Sequence, residues 1–196
     1  HNTIGAAGIA PDASTFSVNI FAPNTTNTDV AQGIVWAVDN GADVLSNSWG
    51  FGSCTYDVTS ITDAFAYAAT NGRNGKGCII LVASGNDFQT CVSYPANLPT
   101  VTAVGGISGD GERSMYSNYG PALDIAAPSD DDWVRQGRNW YSTGTHGLRT
   151  IDRMGSNGWY SGNYSEAMGG TSGATPQVSA VAALVLSVNP NLTKSE

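Results

Sequence analysis

Ser172 lies in a run of small residues, from Gly169 to Thr175, that opens a long apolar stretch. A serine in the first turn of a helix has its hydroxyl and its own N–H at the positive end of the helix dipole. This position suits a nucleophile, because the N–H can hold a negative oxygen that develops beside it. It equally suits a helix-capping serine, a common role that involves no chemistry. Local sequence alone favours the cap.

The elements that must position Ser172 alternate between strands and helices. Apolar residues at helical spacing predict helices at 27–41, with Thr28 as N-cap, at 58–72, and from about Ser172 to Val188. The predicted strands are 14–23, 42–50, 77–86, 100–108 and 122–129. This alternation indicates an α/β fold in three layers, a mostly parallel sheet with helices on both faces.

In a parallel sheet, functional residues follow the carboxyl ends of the strands. This rule singles out 46–50, 83–87 and the residues that precede Ser172. The abundant glycine would also suit a nucleotide-binding loop, but no G-x-G-x-x-G motif stands between a predicted strand and a helix. Nucleotide binding is therefore disfavoured.

The composition limits the classes of function. A length of 196 residues predicts one domain, and 41% hydrophobic residues with 24 glycines indicate a compact, loop-rich fold. The net charge of −8 repels phosphate backbones, so nucleic acid is not expected as a partner. No apolar run has the length of a membrane span, and no signal peptide is expected in this sequence.

Motifs in four segments resemble, in the same order, those of the subtilisin-like serine proteases (subtilases, peptidase family S8). In that family the first enters a strand, the second pairs with the substrate backbone, the third carries an oxyanion donor, and the fourth carries the nucleophile. The segments are GIAPDAS (8–14), DVLSNSWG (43–50), LVASGND (81–87) and GGTSGATP (169–176). Ser-Trp-Gly at 48–50 is most similar to the kexin-like branch. The resemblance covers nearly the whole chain and implies the subtilisin-like fold.

The resemblance also implies roles for particular residues. Ser172 would be the nucleophile, and its N–H together with the Asn86 side chain would hold the oxyanion. An extended peptide would pair with both walls of the S1 cleft as an added strand, and Ser93 would lie near the floor. The wall residues are Ser48, Trp49 and Gly50 on one side and Ala83, Ser84 and Gly85 on the other. The Tyr94–Pro95 peptide bond is expected to be cis.

Specificity has two open interpretations. Asp87 follows Asn86, and it would either favour a basic P1 residue or be a solvated charge on the rim. The kexin-like preference for paired basic residues depends on acidic residues after the Ser-Trp-Gly strand. Here Phe51 to Cys54 follow that strand, so a dibasic preference is doubtful.

The family orders its catalytic triad Asp, His, Ser. The Asp and the His have no clear counterpart in this sequence. His1-Asn2-Thr3 resembles a damaged catalytic His-Gly-Thr motif, whereas 1–11 also matches a later Asn-Asn-x-Ile-Gly loop without any deletion. The second alignment is preferred, and it puts the base and its Asp upstream of His1. His146 lies in a long loop and is expected at the surface. Residues 1–196 are therefore predicted to be a partial peptidase domain, truncated at both ends and inactive alone.

The preferred alignment places Asn2, Ile4 and Ala6 on a loop that wraps calcium in subtilases. An asparagine oxygen and two carbonyls suit this hard cation, but an ordinary turn explains the loop as well. No organic cofactor is expected.

A rival to the protease function is that of a non-catalytic module that binds extended peptides in an inherited cleft. Another is a fragment that needs a missing N-terminal segment or a propeptide as its partner.

Other residues are less informative. Cys78 precedes an apolar run and is expected to be buried. Cys54 and Cys91 lie in loops, and whether they form a disulfide is left open.

Residues 129–168 are predicted to form a surface loop or irregular hairpin, in which Asp130, Asp131 and Asp132 are expected to be solvated. A secreted or extracellular location is inferred from the family, and three Asn-x-Ser/Thr sites are compatible with it.

Overall fold

The structure is a computed structural model that describes residues 5–130, 133–136, 139–142 and 147–196. Its helices are α1 (Asn27–Asp39), α2 (Thr59–Gly75) and α3 (Gly170–Val188). Its strands are β1 (Val44–Asn47), β2 (Ile79–Ala83), β3 (Thr102–Ile107), β4 (Ile125–Pro128), β5 (Trp133–Gln136), β6 (Asn139–Ser142), β7 (Leu148–Ile151) and β8 (Tyr164–Met168). A short 3-10 turn spans Gly155–Asn157.

Strands β1 to β4 form one parallel sheet in the order β1-β2-β3-β4. Successive side chains of a strand point to opposite faces, and β2 is buried on both. Ile80 and Val82 belong to the core beneath α1 and α2, whereas Leu81 packs with Ala174 of α3 on the other face. The predicted α/β architecture, with helices on both faces of a parallel sheet, is confirmed.

The segment 14–23, predicted to be a strand, has no regular secondary structure. It lies along α1 instead: Phe16 meets Trp36 edge-on at 5.6 Å between ring centroids, and Val18 approaches Gly33. A strand needs a neighbour for its backbone groups, and none pairs with this segment among the residues that the structure describes.

The N-cap of helix α1 lies two residues before the predicted cap. Thr26, not Thr28, is the N-cap: its hydroxyl accepts the Asp29 N–H, and the Asp29 carboxylate accepts the Thr26 N–H at 2.8 Å. This reciprocal capping box satisfies two N–H groups that the helix leaves unpaired. The hydrogen bonds from Thr26 hold the pKa of Asp29 below its ordinary value.

Regular helix α2 ends where it was predicted to end, at Gly72. Residues 72–74 leave helical geometry, and a side chain at Gly72 would collide with the Cys78 sulfur. The thiol of Cys78 is fully buried, as expected, and donates to the Ala42 carbonyl at 3.0 Å. The close approach of α2 to the start of β2 therefore requires glycine at this turn.

Helix α3 starts at Gly170 and packs its first half across the sheet. Its last turns are more open, and Val181, Val185 and Val188 are 50%, 49% and 86% exposed. The helix is long and apolar enough to cross a membrane, but core helices of soluble proteins have the same composition. Between β4 and α3 lie two antiparallel hairpins, β5–β6 and β7–β8, in agreement with the predicted irregular hairpin.

Candidate active site

A cavity of about 220 Å³ lies where the carboxyl ends of β1 and β2 meet the first turn of α3. Its lining combines small residues with a few polar groups, which leaves room for a side chain to enter. The lining residues are Trp49, Gly50, Gly52, Ala83, Gly85, Asn86, Asp87, Ser93, Thr171 and Ser172. The sequence predicted eight of these ten, all except Gly52 and Thr171.

The remaining two predicted cleft residues lie just outside the cavity lining. Ser48 donates its hydroxyl hydrogen to the Ser172 carbonyl at 2.9 Å. Ser84 is fully buried beneath the cleft, where its N–H donates to the Val104 carbonyl and its own carbonyl accepts the Ser93 N–H. Both residues therefore connect the cleft walls to neighbouring segments.

Ser172 is the third residue of α3 and is not its cap. Gly169 occupies the N-cap position, and no side chain of that residue can cap the helix. The Ser172 hydroxyl is half-buried and donates to the Ser48 carbonyl at 3.3 Å. The capping interpretation is therefore wrong, and the hydroxyl lies at the cavity, close to the positive end of the helix.

Asn86 is oriented by Thr171, a residue that sequence reasoning did not single out. The Thr171 N–H and hydroxyl both donate to the Asn86 side-chain oxygen, each at 2.9 Å. Because this oxygen is fixed as the acceptor, the Nδ2 group is left as the donor of the Asn86 amide. Gly170, with φ +75°, brings the backbone so close that a Cβ there would lie 3.3 Å from this nitrogen.

Asn118, which was also missed, connects two parts of the cavity lining. This fully buried side chain accepts the N–H groups of Asp87 at 3.0 Å and Gln89 at 2.8 Å. Its Nδ2 group donates to the Ser93 hydroxyl at 3.0 Å. Asn118 thus fixes both the loop that carries Asp87 and the lining residue Ser93, although no local motif indicated this contact.

Asp87 is exposed and carries the only charge among the lining residues. One of its carboxylate oxygens lies 3.9 Å from the position that a Cβ on Gly52 would occupy. The carboxylate therefore lies on the side of the cavity that faces the loop after β1. This position leaves both interpretations of Asp87, a P1 partner or a rim charge, for experiment.

A disulfide and a backbone contact connect the two walls. Cys54 in the loop after β1 is bonded to Cys91 in the loop after β2, which answers the open question of their pairing. The Phe51 N–H donates to the Tyr94 carbonyl at 3.0 Å, and the Tyr94–Pro95 bond is cis as predicted. The segments that follow the two walls are thus linked to each other.

The structure corrects the expected environment of Asp130. It was expected to be solvated, but it is 3% exposed, because the turn after β4 folds it against the first residues of α3. Its carboxylate accepts hydrogen bonds from the Gly170 N–H at 3.1 Å and from the Tyr116 hydroxyl. Burial, together with the hydrogen bond to Asp130, raises the pKa of Tyr116 to about 12.

Several predicted residues lie outside the described ones: His1, Asn2, Ile4, Asp131, Asp132 and His146. Ala6 is described and exposed. Residues 5–130, 133–136, 139–142 and 147–196 contain no histidine and no group of three or more His, Cys, Asp or Glu that could hold a metal. The predicted calcium loop and the two histidines therefore remain predictions.

Comparison with known proteins gives one family. The subtilase family (peptidase S8) matches residues 1–196. The calcium-dependent protease of Trichormus variabilis is 37% identical over 221 residues, which cover 100% of this chain and 32% of that protein. Subtilisin BL of Lederbergia lenta is 32% identical over 97% of this chain and 60% of its own length. The chain therefore spans between a third and three-fifths of these relatives.

Solved structures show the same similarity. A protease structure from Pseudoalteromonas arctica matches with a TM-score of 0.79 and 27% identity, over 99% of this chain and 56% of that one. The self-cleaved protease domain of PatA matches with a TM-score of 0.70 and 29% identity, over 95% and 63%. These bacterial subtilisins and PatA-like proteases do not support the predicted nearness to the kexin-like branch.

Proposed function

Because this chain belongs to the subtilase family of peptidases, we propose that it carries the nucleophile and the substrate cleft of a serine endopeptidase. The observation that carries the proposal is the convergence of Ser172 and Asn86 on one cavity, with Thr171 holding the Asn86 oxygen. Peptide or protein chains are the substrate class, as in related proteases.

In the proposed reaction, the Ser172 Oγ attacks the carbonyl carbon of the scissile peptide bond. The carbonyl oxygen becomes negatively charged and is held by the Ser172 N–H and the Asn86 Nδ2 group. The Oγ proton passes to a base and then to the leaving amine, which leaves an acyl ester on Ser172. Water hydrolyses this ester and restores the hydroxyl.

A serine hydroxyl is a weak nucleophile until a base removes its proton. The resemblance assigns this base to a histidine oriented by an aspartate, and the preferred alignment puts both upstream of His1. We therefore expect full activity to require an N-terminal segment, joined to this chain or bound to it. A cleft that binds peptides without cutting them is the outcome expected when that segment is missing.

The substrate is proposed to bind as an added strand between the walls at 48–50 and 83–85, with its P1 side chain in the cavity. The P1 chain would reach Ser93 at the floor and Asp87 at the side. A carboxylate there favours a lysine or arginine at P1. A requirement for paired basic residues is not proposed, because the loop from Phe51 to Cys54 is not acidic.

Two features of the setting are also proposed. The Cys54–Cys91 disulfide is typical of oxidising compartments, which supports an extracellular location. Calcium is proposed to bind the loop of Asn2, Ile4 and Ala6 through one side-chain oxygen and two carbonyls. A related protein that is named a calcium-dependent protease supports this assignment.

The proposed function is tested by treating the folded protein, joined to an N-terminal segment that supplies the base, with a fluorophosphonate serine reagent. Intact mass and peptide mapping then locate the label, and Ser172→Ala is the control. Rapid, stoichiometric labelling of Ser172 supports the protease. An absence of labelling in the folded protein, together with peptide binding, would instead indicate a binding module.

A further inference from the structure

Three buried side chains converge on a single residue, Gly170, two positions before the nucleophile. Its N–H donates to the Tyr116 oxygen at 3.0 Å and to the Asp130 carboxylate at 3.1 Å. Its carbonyl accepts the Ser129 hydroxyl at 2.8 Å. Tyr116, Ser129 and Asp130 are 4%, 5% and 3% exposed. We call these three residues the Gly170 clamp.

The start of a helix leaves N–H groups that a nearby serine, threonine or aspartate normally caps. In α3 the N-cap is Gly169, so the carboxylate that caps the helix comes from the turn after β4 instead. A side chain at Gly169 would collide with the Asp130 carboxylate. Gly169 therefore leaves room for the Asp130 carboxylate. Gly170 has φ +75°, a conformation that residues other than glycine rarely adopt.

The clamp is connected to Asn86 by one peptide unit. The residue after Gly170 is Thr171, whose N–H and hydroxyl both hold the Asn86 side-chain oxygen. Movement of the Gly170–Thr171 peptide would therefore move both donors together. The orientation of the Asn86 amide thus depends on the position at which the clamp holds Gly170.

We propose that Tyr116 and Asp130 are positioning residues that hold Gly170 and thereby aim the Asn86 amide at the developing oxyanion. This inference rests on the proposed function, because it deepens the role of the same site. Neither residue lines the cavity. Loss of an oxyanion donor reduces a rate by about 10²–10³-fold, so misalignment of the donor is expected to reduce it by about tenfold.

A residue that only stabilises the fold would show a different pattern. It would lower the melting temperature without changing the Asn86 amide in the folded protein. Tyr116→Phe is the sharpest variant, since it keeps the buried ring and removes only the hydroxyl. Asp130→Asn retains an acceptor oxygen and should be milder than Asp130→Ala. Asp110→Asn removes an exposed carboxylate in the turn after β3 and is the matched control.

The first measurement is independent of catalysis. In NMR spectra of the full chain, the Thr171 amide and the Asn86 side-chain amide signals should shift in Tyr116→Phe and Asp130→Ala. They should remain in place in Asp110→Asn. Shifts confined to Gly170, with Thr171 and Asn86 unchanged, overturn the inference whatever the activity of the protein.

The second measurement uses the fluorophosphonate reagent and a peptide that binds without reacting. The labelling rate of Ser172 should fall about tenfold in both clamp variants, while peptide affinity stays within twofold, because only the reacting oxygen is affected. An unchanged labelling rate overturns the inference. If the wild-type protein is not labelled even when joined to an N-terminal segment that supplies the base, the proposed protease function fails, and the NMR signals alone decide the role of the clamp.

Discussion

Thr171 holds the side-chain oxygen of Asn86 with two donors at once, its N–H and its hydroxyl. The hydroxyl is fully buried and also accepts the Gly85 N–H at 3.3 Å. One threonine therefore links the nucleophile helix, the amide donor and the cleft wall. Since the N–H belongs to the backbone, only the hydroxyl contribution can be removed by substitution.

Thr171→Val keeps the shape of this side chain and removes its hydroxyl. We expect the phosphonylation rate of Ser172 to fall about tenfold, since the Asn86 amide loses one of the two donors that fix it. Thr171→Ser retains the hydroxyl and should react within about twofold of the wild type. Stopped labelling reactions read by intact mass give both rates, and equal losses in the two variants would contradict the assigned role.

Asp87→Asn tests the charge at the cavity. Exposed ion pairs contribute up to about 1 kcal/mol, so cleavage after lysine or arginine should fall by at most about fivefold. Cleavage after leucine should not change, and the difference should shrink as salt is raised. Cleavage rates for matched peptides that differ only at P1, measured on the protein joined to an N-terminal segment that supplies the base, check this. Unchanged rates for both lysine and leucine would identify Asp87 as a rim charge.

The features that sequence predicted well depend on neighbours along the chain. The apolar run of β2 requires a strand buried on both faces, and the glycine at 72 ends α2 where the Cys78 sulfur leaves no room. The cleft residues followed from the strand ends and from recognised motifs. Eight of the ten residues that line the cavity are among those that the sequence singled out, and their roles stay predictions.

The features that sequence missed depend on contacts between distant segments. Asn118 lies 31 residues from Asp87, and Asp130 lies 40 residues from Gly170, so no local pattern reveals either hydrogen bond. Asp130 was expected in solvent, but the folded turn buries it. The segment 14–23 had the pattern of a strand and found no strand to pair with among the described residues.

The Cys54–Cys91 disulfide should contribute to the free energy of unfolding. It joins residues 37 positions apart, and closing a loop of this length restricts the unfolded chain by about 4 kcal/mol in the chain-entropy account. We expect the double variant Cys54→Ser/Cys91→Ser to unfold at lower urea, with a loss of about 2–4 kcal/mol.

Urea titrations with and without reductant check this effect. Reductant should destabilise the wild-type protein and leave the double variant unchanged. Cys78→Ala is the control, because it keeps the disulfide and should still respond to reductant. Identical midpoints for reduced and oxidised wild-type protein would show that the crosslink does not contribute to stability.

Cys78 should make the fold sensitive to alkali. Burial, followed by the charge of Asp43, raises the pKa of this thiol from 9.0 to about 11. Above pH 9 the unfolded thiol loses its proton while the folded thiol keeps it, so the stabilisation is complete below pH 9 and is lost as the pH rises towards 11. This loss amounts to about 2 kcal/mol by pH 11.

The free energy of unfolding of wild-type protein should therefore fall more steeply between pH 9 and 11 than that of Cys78→Ala. The difference between the two proteins separates the effect of Cys78 from that of the buried tyrosines. Parallel curves would mean that the thiol does not ionise differently in the two states.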